Sequence, residues 1–518
     1  MNRRRFLTGI AALPACLHYG RVGRGTYRGI TVSPMPALSL VPEPASIDIN
    51  DGYFTLTSAT QILADSYSIR IGEQLAGGLR AATGYALPVA VGTEKGTQTI
   101  RLRRDAKFTT LGKEAYHLVV TPTWIEITAS STSGLFYSLQ TLCQLFQPDI
   151  FPESTSDAVW TVPCVAIRDR PRFPWRGLML DSGHDFQTVE TVKRYIELMA
   201  LFKFNIFHWH LTDLGIWPLE VRSYPKLIDP TTRGSGVKQG YYTQAEILDV
   251  VRFASERHIT VVPEIDMPGH VTPVLLAYPE FNCPVPVEKK PWQYCIGNEA
   301  VYLFLDAIIT EVCSLFPSEF IHVGGDECDF NRWSQCPRCQ ALKQREGLTN
   351  DEELQSYFMR RIAKMLYARR RRLMGWDEIL KGGLPSNAAV MSWHDMVGGI
   401  AAVKAGHAAI MTPKSSCYFD YYPTAQSLQT VYQFEPVPAD LSPTEAALIL
   451  GAEGEMWSDN HPSMEEIERH VYPRAIALAE VLWSPKKKRD YSSFLVRLRA
   501  AERQLDRLGV HYFSYTQE

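Results

Sequence analysis

Eight short apolar runs follow one another from Trp175 onward, each ending in polar or aromatic residues and each followed by a helical stretch or a long loop. They read "RGLMLD", "FNIFHWHLTD", "ITVVPEID", "FIHVGGDE", "RRLMGWDE", "AAVMSWH", "AAIMTP" and "ALILGAEGEMW". Eight strand and helix units in series predict an α/β fold, a (β/α)8 TIM barrel. Apolar residues at helical spacing place helices over Val189 to Phe202, Gln244 to Arg257, Asn298 to Phe316, Glu352 to Arg371 and Met464 to Trp483. The stretch "YSSFLVRLRAAERQLDRLGV" reads as an amphipathic terminal helix on the outside of the barrel.

At 518 residues the chain has room for more than a barrel. Short alternating strands mixed with helices over Ile71 to Thr83 and Gly134 to Phe146 predict a smaller α+β domain over residues 35–165, with "FPESTSDAVW" as a linker and the barrel over residues 166–518. Residues 1–34 read as an export signal and linker. Arg3 to Arg5 precede a short apolar run from Phe6 to Leu17, and the Arg3-Arg4-Arg5-Phe6-Leu7 start fits the twin-arginine type of bacterial proteins exported already folded. Leu13-Pro14-Ala15-Cys16 also fits a lipoprotein cleavage box apart from Pro14, which leaves open a periplasmic protein or one anchored by lipid at Cys16. A net charge of -3, with no long block of like charge, argues against a nucleic-acid partner.

In such barrels the active site lies at the C-terminal ends of the strands. The residues there are Asp181, His184, Asp213, Trp217, Asp266, His270, Asp326, Glu327, Trp376, Asp377, Glu378, Trp393, His394, Tyr418, Asp420, Trp457 and Asp459. A tryptophan at a rim is often core or interface, but several converging with acids suit a sugar, whose apolar faces lie on rings while its hydroxyls bond carboxylates. Asp326 beside Glu327, after Gly324-Gly325, is the hardest feature to explain by a helix-capping turn alone, because paired carboxylates at a buried strand end are costly. Ordinary glycosidases need two carboxyls roughly 5 to 9 Å apart across the scissile bond, and neighbouring side chains diverge from an extended backbone. Asp326 and Glu327 fit instead the exception in which the sugar's acetamido group is the nucleophile, one carboxyl serving as acid and base while the other holds the acetamido N–H.

With these residues on the page, the sequence resembles family 20 of the glycoside hydrolases, the β-N-acetylhexosaminidases, from about Val41 to about Tyr512. "FPWRGLMLD", "KFNIFHWHLTD", "VVPEIDMPGH", "HVGGDE", "GWDEIL", "VMSW" and "PRAIALAEVLWSP" carry the resemblance. It implies a retaining exo-enzyme that removes terminal β-linked N-acetylhexosamine from glycans through an oxazolinium intermediate, with no metal or organic cofactor. It implies Glu327 as general acid and base, Asp326 as the residue orienting the acetamido group, Tyr418 as donor to its carbonyl, and Asp213 with His270 behind the acid, a pair expected to help hold Glu327 protonated until the leaving oxygen needs its proton. Trp376, Trp393 and Trp457 match the family's aromatic pocket, and Asp420 a hydroxyl-binding residue. His184 stands where most members carry Arg, and Asp459 where they usually carry Glu, so an altered sugar preference is expected. Alternatives are an exo-enzyme taking a substituted sugar or a disaccharide, and a glycan-binding lipoprotein without turnover.

His208 and His210 alternate along one run and read as one core and one rim residue rather than a metal pair. Among ten cysteines, Cys283 and Cys295 bracket a Pro-rich loop and form the expected disulfide. Cys336 and Cys339, with Cys328 nearby, raise a metal question, but a structural zinc needs four ligands and no second Cys-x-x-Cys exists.

Overall fold

The computed structural model describes residues 38–92, 94, 96–146, 159–230, 239–285, 291–459 and 463–515. The export signal, Cys16 and most of the expected linker therefore lie outside the described residues. The N-terminal domain is one mixed sheet of β1 (Ser46–Leu56), β2 (Gln61–Ala64), β3 (Val89–Val91), β4 (Thr99–Arg104), β5 (Tyr116–Val120), β6 (Trp124–Ala129) and β7 (Trp160–Asp169), in the order β1-β7-β5-β6-β4-β2-β3. Helices Ile69–Thr83 and Thr132–Leu145 pack on it, and Ser131 caps the second by accepting a hydrogen bond from the Gly134 amide. Strand β7 runs past residue 165 and pairs with β1 and β5, so this sheet ends at Asp169.

Strands β8 (Trp175–Asp181), β9 (Ile206–Thr212), β10 (Thr260–Ile265), β11 (Phe320–His322), β12 (Arg372–Trp376), β13 (Ala389–Ser392), β14 (Ala408–Met411) and β15 (Ile449–Gly454) close into a parallel barrel in sequence order. The helices fall where apolar spacing places them, with one break. The stretch from Met464 to Trp483 is two helices, Met464–Val471 and Arg474–Trp483, because Pro473 has no N–H for the helical ladder and forces Tyr472 into extended backbone. The two domains meet over buried ions. The Arg176 guanidinium pairs with Glu114 at 2.9 Å, and Asp169 accepts hydrogen bonds from Tyr116, Lys203 and the Trp483 indole. Arg176 and Lys203 precede or open barrel strands, so the α+β domain braces the end of the barrel opposite the strand C-termini.

The barrel interior is polar as well as apolar, which corrects the reading of His208 and His210. Both rings are fully buried. His208 bonds Glu453 at 2.7 Å and approaches Glu264, while His210 bonds Glu264 on one side and Asp213 on the other. Glu264 also faces His322 and accepts the Trp376 indole N–H at 2.9 Å. Burial opposes a charged Glu264, but His322, His210 and His208 hold its carboxyl well below the usual range. This buried carboxylate sets the position of Trp376 in the layer above.

Candidate active site

Strand β11 ends at His322, and the chain then turns through Gly324 at φ +63°, Gly325 at φ +92° and Glu327 at φ +48°. A Cβ on Gly324 would lie 1.8 Å from Asp266 Oδ1, and one on Gly325 would lie 2.3 Å from Ile379. Both glycines are needed for the loop to double back across the barrel mouth. Glu327 and His270 (φ +56°) hold left-handed backbone without being glycine, and such strain collects where function fixes a side chain.

The mouth is an open cavity of about 500 Å³ lined by His184, Asp213, His270, Asp326, Glu327, Trp376, Trp393, Lys414, Tyr418, Asp420, Tyr421, Trp457 and Asp459. Of the seventeen candidates at the strand ends, the eleven singled out by the family resemblance all converge there. Other candidates do not. Trp217 is core, its indole donating to the Leu219 carbonyl, and Asp377 with His394 lines a neighbouring cleft. Lys414 and Tyr421 were not anticipated. The Lys414 ammonium lies 3.7 Å from the centre of the Trp393 ring, and Tyr421 stands 6.0 Å from the Tyr418 ring.

One wall is aromatic. Trp376 and Trp457 stand 6.1 Å apart, Trp457 and Tyr418 6.4 Å, and Tyr418 and Trp393 6.1 Å with nearly parallel rings. Burial, with Glu455 and Asp326 nearby, pushes the Tyr418 phenol well above its usual value, so the hydroxyl stays protonated and can donate.

The facing wall is a chain of charges. Asp213 accepts from His210 and from His270, each at 2.9 Å, and burial of its carboxylate is outweighed by His184 and His270. The other nitrogen of His270 lies 3.5 Å from Glu327 Oε2 and 3.6 Å from Asp326 Oδ2, so one ring stands between the two carboxyls. Burial disfavours a charged His270, but Asp213, Asp266 and Asp326 together raise its pKa far above the usual value. Asp326 is pushed up to about 7 by burial, with His270 pulling it down only in part, and its buried Oδ1 has no hydrogen-bond partner among the described residues. Glu327 is the exposed member, and the facing His270 ring holds its carboxyl below the usual range against the effect of burial. An Asp213–His270 pair was expected to keep Glu327 protonated. In this geometry it does the reverse, because the ring presents a proton rather than a lone pair.

At the far end, burial opposes a charged His184, but Asp181 and Asp213 hold its pKa at about 9. Its Nδ1 lies 2.9 Å from Asp181 and 3.1 Å from Asp459, so the ring remains a cation at neutral pH and is tied to Asp459. Burial pushes the Asp420 carboxyl up to about 7, and its buried Oδ1 also lacks a partner among the described residues. An aromatic enclosure with unpaired carboxylate oxygens and one exposed acid at a barrel mouth is the site of a glycoside hydrolase.

The comparisons agree. The description "Glycosyl hydrolase family 20, catalytic domain" matches residues 173–486, and "Glycosyl hydrolase family 20, domain 2" matches residues 37–170. The chain belongs to glycosyl hydrolase family 20. A β-hexosaminidase of Porphyromonas gingivalis is 38% identical over 92% of this chain, which spans 64% of that relative's length, and one of Vibrio furnissii is 34% identical over 87% of the chain and 77% of its own. Among solved structures, a family 20 exo-β-N-acetylglucosaminidase of Vibrio harveyi in complex with N-acetylglucosamine superposes with a TM-score of 0.84 at 29% identity, covering 95% of this chain and 81% of that one. The Streptomyces plicatus N-acetyl-β-hexosaminidase superposes at 0.81 with 30% identity, over 94% and 98%.

Proposed function

We propose that this chain removes terminal, non-reducing, β-linked N-acetylhexosamine from glycans with retention, the substrate's acetamido oxygen acting as nucleophile. The observation that carries this is the unpaired, buried Asp326 Oδ1 in the same pocket as the protonated Tyr418 hydroxyl. An acetamido group supplies an N–H for the first and a carbonyl oxygen for the second. As the anomeric C–O bond breaks, the acetamido oxygen bonds the anomeric carbon and the Glu327 proton passes to the leaving oxygen. Asp326 accepts the N–H and balances the oxazolinium charge. A water that gives its proton to Glu327 then attacks the anomeric carbon, and the acetamide is restored.

The test is release of p-nitrophenol from β-linked p-nitrophenyl N-acetylglucosaminide and N-acetylgalactosaminide. Turnover of at least one is expected, and none on either moves the reading to a substituted sugar, a disaccharide or a binding protein. His184 keeps the positive charge of the expected Arg but not its reach, and its tie to Asp459 alters what meets the sugar's distal hydroxyls. We therefore expect the galacto or 6-sulfated substrate to be turned over at least as fast as the gluco one. A strong gluco preference would sink that expectation.

The export reading of residues 1–34 is likewise a proposal. It predicts a shortened mature chain in intact-mass analysis, beginning at a diacylated Cys16 in the lipid-anchored case and elsewhere in the soluble periplasmic one. A chain that keeps Met1 to Cys16 after fractionation of the native host overturns it.

A further inference from the structure

Four cysteines that the proposed hydrolysis does not use converge beside the catalytic loops. The expected disulfide between Cys283 and Cys295 is not formed, and all nine described cysteines are free. Cys295 Sγ lies 3.6 Å from that of Cys336 and 3.9 Å from that of Cys339, and Cys283 Sγ lies 3.9 Å from Cys339. All four sulfurs lie within 4.8 Å of one another, and none of the four residues exceeds 2% exposure. Four thiolates around a zinc ion at about 2.3 Å stand about 3.8 Å apart, the edge of a tetrahedron. Three of the six sulfur pairs, at 3.6 to 3.9 Å, fall at that edge length, and the others lie within 4.8 Å.

The chain builds this arrangement deliberately. Cys283 follows the turn Pro279–Phe281, whose Phe281 carbonyl accepts the Cys295 amide at 2.8 Å. Cys336 closes helix Phe330–Gln335, and Cys339 lies in the first turn of helix Pro337–Arg345. A Cβ on Gly297 would lie 2.3 Å from the Arg338 carbonyl, so only glycine lets the Cys295 loop close on the Cys-x-x-Cys turn. The spacing is that of a loop pair plus a Cys-x-x-Cys pair, and soft sulfur ligands in a closed tetrahedral set select zinc over harder cations.

We propose that Cys283, Cys295, Cys336 and Cys339 bind one zinc ion as a closed, structural tetrathiolate site that ties the loop carrying His270 to the loop carrying Glu327. The connection is short. Trp292 packs edge-on to the His270 ring, its carbonyl accepts the Val271 amide, and the Tyr294 amide donates to Pro268. Gln293 exchanges two hydrogen bonds with the Asp329 backbone, at 2.7 and 2.8 Å, two residues beyond Glu327. The Trp333 indole donates to the Tyr294 carbonyl in the helix that ends at Cys336. The ion thus fixes the ends of the segment that holds two strained side chains in register. If the chain is exported folded, the ion is acquired where thiols remain reduced.

The site stands independently of the hydrolysis reading, and metal content tests it without any activity measurement. The full chain, purified without chelators or added metal and with any affinity tag removed, should carry about one zinc per chain by plasma mass spectrometry. A mercurial reagent should release that zinc to a colorimetric indicator. The Cys336→Ser/Cys339→Ser double variant should lose the zinc and melt at a lower temperature, while Cys313→Ser, outside the cluster, should retain it. Should the double variant fail to fold, the wild-type metal content and mercurial release decide the matter alone. Wild-type protein without zinc, whether its four thiols alkylate freely in the native state or are joined as disulfides, overturns the proposal.

Discussion

Replacing Glu327 by Gln is expected to slow hydrolysis of an N-acetylhexosaminide with an alkyl leaving group by about 10²–10⁴-fold, with KM little changed. The amide keeps the size of the side chain and the strained backbone at φ +48° but can neither deliver a proton nor take one from water. The size of the loss should depend on the aglycone. A p-nitrophenolate leaves without protonation, so its release loses mainly the second step, in which the carboxylate activates water, whereas an alkoxide loses both. The variant should therefore be more impaired on chitobiose-type substrates than on the nitrophenyl glycoside. Equal impairment on both would remove Glu327 from the leaving-group side. Because Glu327 is the exposed carboxyl of the pair, its substitution should leave the melting temperature close to that of wild type.

The barrel and most of its mouth were legible because strand periodicity fixes where each run ends, and the active face of such a barrel is its strand ends. Trp376, Trp393 and Asp213 lie at those ends, so they were found without contacts being known. Lys414 opens the single-turn helix Lys414–Cys417 and Tyr421 lies in the bend that follows it, beyond β14, where the segments are too short for a period to say which way a side chain turns. The break at Pro473 was readable, since a proline inside an apolar helical pattern ends the helix before it. Charge was less accessible than position. His184 is a cation because three carboxylates from different strands and loops surround it, and the effect of His270 on Glu327 depends on which ring nitrogen faces which oxygen. The cysteine cluster is hidden in the sequence because the chain has a single Cys-x-x-Cys pair, Cys336 and Cys339. Its second pair, Cys283 and Cys295, is separated by a loop whose closure only the packing of Gly297 on Arg338 reveals.

Asp326→Asn should cost about 10²–10³-fold in kcat/KM and should move the alkaline limb of its pH profile. The asparagine carbonyl can still accept the acetamido N–H, so the loss measures the missing negative charge opposite the oxazolinium ion. The pH argument follows from the two carboxyls. Asp326 is held near 7 and Glu327 below its usual value, so when the pair carries one proton, that proton resides chiefly on Asp326. Catalysis needs the opposite distribution, a carboxylate at Asp326 and an acid at Glu327. The reactive form is then a constant minority fraction between the two values and vanishes above about pH 7, when the pair loses its last proton. Wild-type kcat/KM should therefore be bell-shaped, with its optimum on the acid side of 7 and its alkaline limb near 7. With asparagine at 326 the only proton left to lose is that of Glu327, whose lowered pKa places its loss at more acid pH. The alkaline limb should shift down accordingly, so that the ratio of wild-type to variant activity grows as pH rises from 5 to 7. An alkaline limb that stays near 7 in the asparagine variant would show that the group titrating there is not Asp326.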